Sequence, residues 1–213
     1  MTEEIPSNSQ DPPRPGLTEP VPHPVLRSGR LVLRPLESSD AMAVQEICGD
    51  RHIAATTQNI PHPYPDGAAL SWIESHAELW SSGQAAVFGI CLTEDPERNE
   101  PRLVGAIGLE VNSLDHRAEL GYWLSRKYWG QGICTEAVEV IIRFGFDQLG
   151  LQRIHAICMA CNPASGRVLQ KNGLIREGRL RNHVRKWGVF HDVDVYGTLR
   201  CDSRLANRVD DCV

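Results

Sequence analysis

The segment Ser125-Arg126-Lys127-Tyr128-Trp129-Gly130-Gln131-Gly132 stands between an apolar strand pattern ending at Leu124 and a nineteen-residue helical pattern from Gln131 to about Leu149. Two glycines one residue apart at the mouth of a helix let the backbone turn tightly. They also leave several amides pointing outward in front of the positive end of the helix dipole. A diphosphate is the natural guest of such a nest. Arg126 and Lys127 add charge at its rim, and Thr135 places a hydroxyl one turn into the helix. The plainer alternative is that the glycines only make the turn. Neither GxxxxGK[ST] nor GxGxxG spacing is present, so the turn is neither a nucleotide-triphosphatase loop nor a dinucleotide fingerprint.

A long helix leaving a strand must return the chain to a parallel neighbour, and Arg153 to Met159 supplies that strand. Upstream, Leu31 to Leu36 alternates and then meets Pro35, which suits an outer strand. Ser38 to Asp40 cap a helix ending near Gly49, residues 54 to 67 read as a loop, and Ala68 to Ser82 reads as a helix. Within it Trp72 and Trp80 are expected to anchor to a core. Strands follow at Ala85 to Leu92, Leu103 to Leu109 and Ala118 to Leu124, the first two joined by a hairpin over Thr93 to Pro101. After the crossover strand, Asn162 and Pro163 open a short helix that Gly173 closes. Two more strands occupy Glu177 to Lys186 and Asp192 to Leu199. Hairpins ahead of a strand-helix-strand crossover predict an α/β (α+β) fold with a mixed central sheet and helices on both faces.

Length permits one full domain of 213 residues, assigned to 27–202. Seven prolines before residue 25 make 1–26 an extended arm, and 203–213 reads as a polar tail. Net charge is −5, which argues against a nucleic-acid footprint. No apolar run is long enough for a membrane helix, and the first residues lack a secretory signal, so a cytoplasmic setting is expected. Seven cysteines in mostly apolar segments are expected to be reduced and buried.

Four motifs in order, Glu119-Leu120-Gly121-Tyr122-Trp123-Leu124, Tyr128 to Ala137, Asn162-Pro163-Ala164-Ser165 and Lys171-Asn172-Gly173-Leu174, resemble the GCN5-related N-acetyltransferase (GNAT) superfamily. The resemblance is strongest to its ribosomal-protein N-terminal acetyltransferase branch and covers residues 28 to 201. It implies a splayed sheet that binds acetyl-CoA. The pyrophosphate would rest on the amides of Lys127, Tyr128, Trp129, Gly130, Gln131 and Gly132. Thr135 and Lys171 would lie near it, and the pantetheine arm would run between the strands of Tyr122, Trp123, Leu124 and of Arg153 to Met159, with Asn162 against the arm.

Acyl transfer to an amine needs a proton acceptor, donors for the oxyanion and a proton for the thiolate. Glu119 is a carboxylate in an apolar strand, and the resemblance makes it the base; the alternative is a surface charge paired with Arg117 or Arg153. Its strand runs into the glycine turn, so the two needs are expected to meet at one end of the sheet. A backbone amide near Tyr122 or Trp123 would hold the oxyanion. Many members place a tyrosine where Leu169 stands here, which closes that route and leaves Ser165 as the group nearest the thiol.

Cys158 and Cys161 form a CxxC with only His155 nearby, too few ligands for zinc, and the pair closes a strand instead of opening a helix. No metal is implied. His62, His116, His183 and His191 read as surface histidines. Asn59 to Pro65 and the basic segment Arg179 to His191 fall where the superfamily builds its acceptor groove, with Tyr64 and Trp187 as candidate walls. The expected activity is transfer of acetyl from acetyl-CoA to a primary amine, either a protein N-terminus or a small molecule such as an antibiotic, polyamine or amino acid. A non-catalytic acyl-CoA-binding module is the alternative, and the protein is expected to be a monomer or homodimer.

Overall fold

A computed structural model describes residues 22–93 and 101–202. Residues 1–21 of the sequence-based arm, the polar tail and most of the hairpin connection after Thr93 fall outside that range, whereas the arm's last residues belong to the domain: His23 packs between Trp80 and Phe88 and Leu26 opens the first strand. The first strands are β1 (Leu26–Ser28) and β2 (Leu31–Arg34), and after them come α1 (Ala41–Cys48), α2 (Arg51–Thr56) and α3 (Ala68–Ser81). Next are β3 (Ala85–Leu92), β4 (Arg102–Asn112), β5 (Arg117–Leu124) and α4 (Ile133–Asp147). Finally β6 (Arg153–Met159), α5 (Pro163–Lys171), β7 (Ile175–Lys186) and β8 (Val189–Leu199) complete the chain. The strands form one sheet in the order β1-β2-β3-β4-β5-β6-β8-β7, antiparallel throughout except for β5 against β6.

Alternation along the strands sends odd and even positions to different helices. Leu31, Leu33, Ile107, Leu120 and Ile154 are buried with Ile133, Ala137 and Ile141 of α4 and Leu169 of α5. Val32, Cys91 and Ala106 point the other way and pack on Val44 and Cys48 of α1 and Ala69 and Ile73 of α3. Helices therefore cover both faces of a mixed sheet, as the strand and helix order predicts. Asn162 caps α5 by accepting the Ser165 amide at 3.2 Å, with Pro163 in the first turn.

Four local expectations are corrected. Residues 51 to 56 are helical, because Asp50 accepts the His52 amide at 2.8 Å and restarts a helix just past Gly49. The outer strand is β1, and β2 lies one place in. Helix α4 starts at Ile133, since Gly132 takes a left-handed φ of 79° that no helix position accommodates. Both tryptophans of α3 anchor to a core as expected, Trp80 on Phe144 and Trp72 on the cluster of Val44, Ala69 and Ile73, and Trp72 also reaches the cleft described below. The cysteines are mixed: Cys48, Cys91 and Cys158 are buried and Cys161 is exposed.

His76 of α3 is 8% exposed, and neither ring nitrogen has a hydrogen-bond partner. Burial, and then the charge of nearby His23, push its pKa down from 6.5 to about 4. The folded protein thus resists a proton that the unfolded chain accepts below pH 6.5, so stability is full above that pH and falls as pH drops toward 4. Urea unfolding should show a loss of about 2 kcal/mol between pH 7.5 and pH 5. Most of that loss should vanish in His76→Leu.

Candidate active site

Strands β5 and β6 are paired only over Arg117, Ala118 and Glu119 against Arg153, Ile154 and His155. Beyond Glu119 the two separate, while β5 keeps its ladder with β4 as far as Leu124. Ser125 donates to the Val104 carbonyl at 2.8 Å, so by antiparallel alternation the backbone groups of residues 123, 121 and 119 also face β4. Those of Tyr122 face the opposite way, into the split, with no strand to receive them. Trp123 is thereby corrected as an oxyanion donor: its amide serves the ladder, and the amide that opens on the split is Tyr122's.

The split is the floor of a cleft of about 760 Å³. At one end lies the glycine turn. Arg126–Tyr128 forms a single 3-10 turn, Trp129 is extended with its Nε1 donating to the Leu124 carbonyl at 2.8 Å, and Gly130 and Gly132 are left-handed at φ 76° and 79°. Gln131 folds its amide onto the Lys127 carbonyl at 3.0 Å. Arg30, from the β1–β2 turn, donates to the Gln131 carbonyl at 2.5 Å and faces Glu136 at 3.4 Å. This staple, which places a guanidinium beside the turn, joins residues a hundred apart and has no signal in the local pattern. Arg126 turns away toward His52 (3.0 Å) and Asp50 (3.9 Å).

Tyr128, Trp129, Gly130, Gly132, Thr135, Asn162, Ser165 and Lys171 line the cleft, whereas Lys127 and Gln131 do not. Asn162 spends its side-chain oxygen on the α5 cap. Arg167, one turn before Lys171 on α5, is a lining residue that the motifs did not single out. The free β5 edge would pair with the amides of an extended pantetheine, and the turn's left-handed glycines expose amides toward a pyrophosphate, so the residues fit acetyl-CoA.

At the other end stands Glu119, its side chain 43% exposed. Five residues of strand, roughly 17 Å, separate it from Leu124, so the carboxylate and the glycine turn bracket the cleft and do not meet at one end. Neither Arg117 nor Arg153 pairs with it: the first bonds Asp115 at 3.0 Å and the second Glu177. Its neighbours in the row across the sheet are Glu110 on β4 and His155 on β6, whose Nε2 is 3.6 Å from the Glu119 carboxylate. His155 Nδ1 is buried without a partner. Two adjacent carboxylates draw a cation to this point.

Between the ends, the Tyr122 phenol lies 2.8 Å from Ser165 Oγ and 3.3 Å from its carbonyl. A phenol thus reaches Ser165 from the strand, a contact that only the folded geometry reveals. Burial raises the phenol's pKa above its usual value despite the hydrogen bond from Ser165, so it stays protonated near neutral pH. Cys158 and Cys134 also line the cleft, and burial pushes their thiols up to about 11 and about 12. Cys158 and His155 occupy opposite faces of β6. Among the described residues no three metal-ligating side chains gather. The α2–α3 side of the cleft carries an apolar wall of Ile53, Ile60, Tyr64 and Trp72, with Trp123 of β5 beside it and Thr56, Thr57, Gln58 and Asn59 as polar neighbours. Trp187 does not line it.

With this geometry in place, the sequence matches the family described as Acetyltransferase (GNAT) domain over residues 30–175. The chain belongs to the GNAT acetyltransferase family. It is 30% identical to the "Uncharacterized N-acetyltransferase YoaA" of Bacillus subtilis (strain 168), over 83% of this chain and 97% of that protein. It is 29% identical to the "[Ribosomal protein uS5]-alanine N-acetyltransferase" of Escherichia coli (strain K12), over 83% and 91%. A solved structure of RimL, a ribosomal L7/L12 α-N-protein acetyltransferase in complex with coenzyme A, superposes with a TM-score of 0.74 at 19% identity, over 83% of this chain and 98% of that one. This GNAT protein is an acyltransferase that uses acetyl-CoA and acts on an amine. No helix among its described residues is long and apolar enough to cross a membrane.

Gly130 meets no atom that an added Cβ would touch, so a side chain there disturbs the left-handed turn and the ligand's approach but not the core. Gly130→Val should weaken acetyl-CoA binding at least tenfold in calorimetry while the protein stays folded.

Proposed function

We propose that this GNAT protein acetylates an α-amine, the N-terminus of a protein, by direct attack on acetyl-CoA in a ternary complex. The observation that carries this reading is the split after Glu119, which puts an unpartnered backbone edge, a carboxylate and a phenol-hydroxyl pair in one cleft. When bound, acetyl-CoA supplies the acetyl group as a thioester.

Glu119, reinforced by the charge of Glu110, attracts the ammonium and accepts its proton. The Tyr122 amide donates to the oxyanion. Ser165, with the Tyr122 phenol behind it at 2.8 Å, delivers a proton to the departing thiolate. An α-amine near 8 is neutral at pH 7 far more often than an alkylamine near 10.4, so it asks less of the single carboxylate at this end of the cleft. That difference of roughly 2.4 pKa units, about 3 kcal/mol, favours an α-amine over a polyamine or lysine. Two relatives named for acetylating a ribosomal-protein serine and a ribosomal-protein alanine support this reading.

Thiol release from acetyl-CoA should be faster with a hexapeptide beginning in alanine than with spermidine at pH 7. Glu119→Gln should lower kcat for that peptide by about 10²-fold at pH 7 with acetyl-CoA affinity nearly unchanged, and recover toward pH 9, where the amine arrives neutral. Superimposable pH–rate profiles would remove Glu119 from the chemistry.

A further inference from the structure

The β7–β8 hairpin turns through Trp187 and Gly188, both left-handed at φ 49° and 84°. A two-residue turn of this shape favours asparagine or aspartate ahead of glycine, and a tryptophan held there is strained. The strain places two side chains. Lys186, only 6% exposed, donates from Nζ to the carbonyls of Thr57 (3.0 Å), Gln58 (3.3 Å) and Ile60 (2.5 Å). Trp187 lies under the Arg51 guanidinium, 4.9 Å from its ring centre, and meets the His62 ring edge-on at 6.2 Å. The hairpin stem is braced by Asp194, which accepts from Arg176 at 2.6 Å and from Arg179 at 2.8 and 2.9 Å.

The gripped segment is the loop between α2 and α3 whose Thr57, Gln58, Asn59, Ile60 and Pro61 line the cleft. Three carbonyls converging on one buried ammonium turn those oxygens out of the cleft and leave Ile60 and Pro61 to face it. An ammonium so buried is tolerated only when its donors are satisfied. Beside this grip, the segment is held by Ile60 packing on the core of Val32, Cys91 and Ala106 and by the Thr57 hydroxyl donating to the Ile53 carbonyl at 2.9 Å. We infer that Lys186 is a specificity-determining positioning residue: from the hairpin tip it shapes the loop against which the acceptor amine's body packs, with Trp187 as its brace. The inference rests on the acetyltransferase reading above, in that the apolar α2–α3 side receives the acceptor.

The test uses the full chain with Lys186→Met and Trp187→Asn. The second suits the left-handed turn and keeps the hairpin, so it stays informative if the first fails to fold. Hydrogen exchange read by mass spectrometry should speed at least tenfold over residues 57–62 in both variants and remain unchanged over 130–140. Acetyl-CoA affinity should stay within twofold, and KM for the alanine hexapeptide should rise at least tenfold with kcat within threefold. Unchanged exchange over 57–62 in both variants, or faster exchange with an unchanged KM, would overturn the inference. If wild-type protein does not acetylate the peptide, the proposed acceptor fails while the exchange experiment still decides whether Lys186 holds the loop.

Discussion

Strand β5 has neighbours on both edges only as far as Glu119, and the site depends on that interruption. An unpaired strand edge inside a sheet is costly unless something occupies it. Here β4 holds β5 straight along one side, while β6 is drawn away to pair with β8 along its full length. The cleft is therefore not a gap left by poor packing. It is held open by two complete ladders that diverge, and Ile107, Leu109, Leu120, Ile154 and Ala156 keep each strand anchored in one buried core beneath. The edge that no strand takes is offered to an extended ligand.

Functional groups are distributed along that edge by the pleat. Tyr122 sends its phenol to the α4–α5 side, where Ser165 meets it, while its own amide opens on the split. Glu119 and Trp123 project to the other face, toward the apolar walls of α2–α3. One strand thus sends the two groups proposed to give and take the protons to opposite faces by side-chain alternation alone. The glycine turn is braced from outside by Arg30, so its amides are held by contacts that the bound ligand does not have to make.

The parts of this arrangement legible in the sequence are those governed by local rules. Strands β3 and β6 and helix α5 follow from apolar runs, Asn162-Pro163 and Gly173, and the sheet's mixed character follows from their order. Glycines 130 and 132 announced the turn through their spacing. What escaped is long-range or tertiary. Helix α2 is six residues long and rests on the single Asp50 cap, too short for a periodic signal. Arg30, His155 at Glu119, the Tyr122–Ser165 pair and the Lys186 grip each join residues that lie 36 to 129 positions apart. Alternation along β5 was visible in the sequence, but which edge lacked a partner depended on where β6 parted from it. That divergence also corrected Trp123 and set Glu119 at the far end of the cleft from the phosphate turn.

Site-resolved amide exchange by NMR tests the central claim most directly, because the Tyr122 and Trp123 amides are neighbours with opposite assignments. Without ligand, Trp123 should exchange slowly, as a member of the β4–β5 ladder, and Tyr122 should exchange fast. Acetyl-CoA should slow Tyr122 by at least tenfold and leave Trp123 where it was. A Tyr122 amide already protected in the free protein, or unaffected by acetyl-CoA, would contradict the account, since the split edge would then not be where the ligand binds.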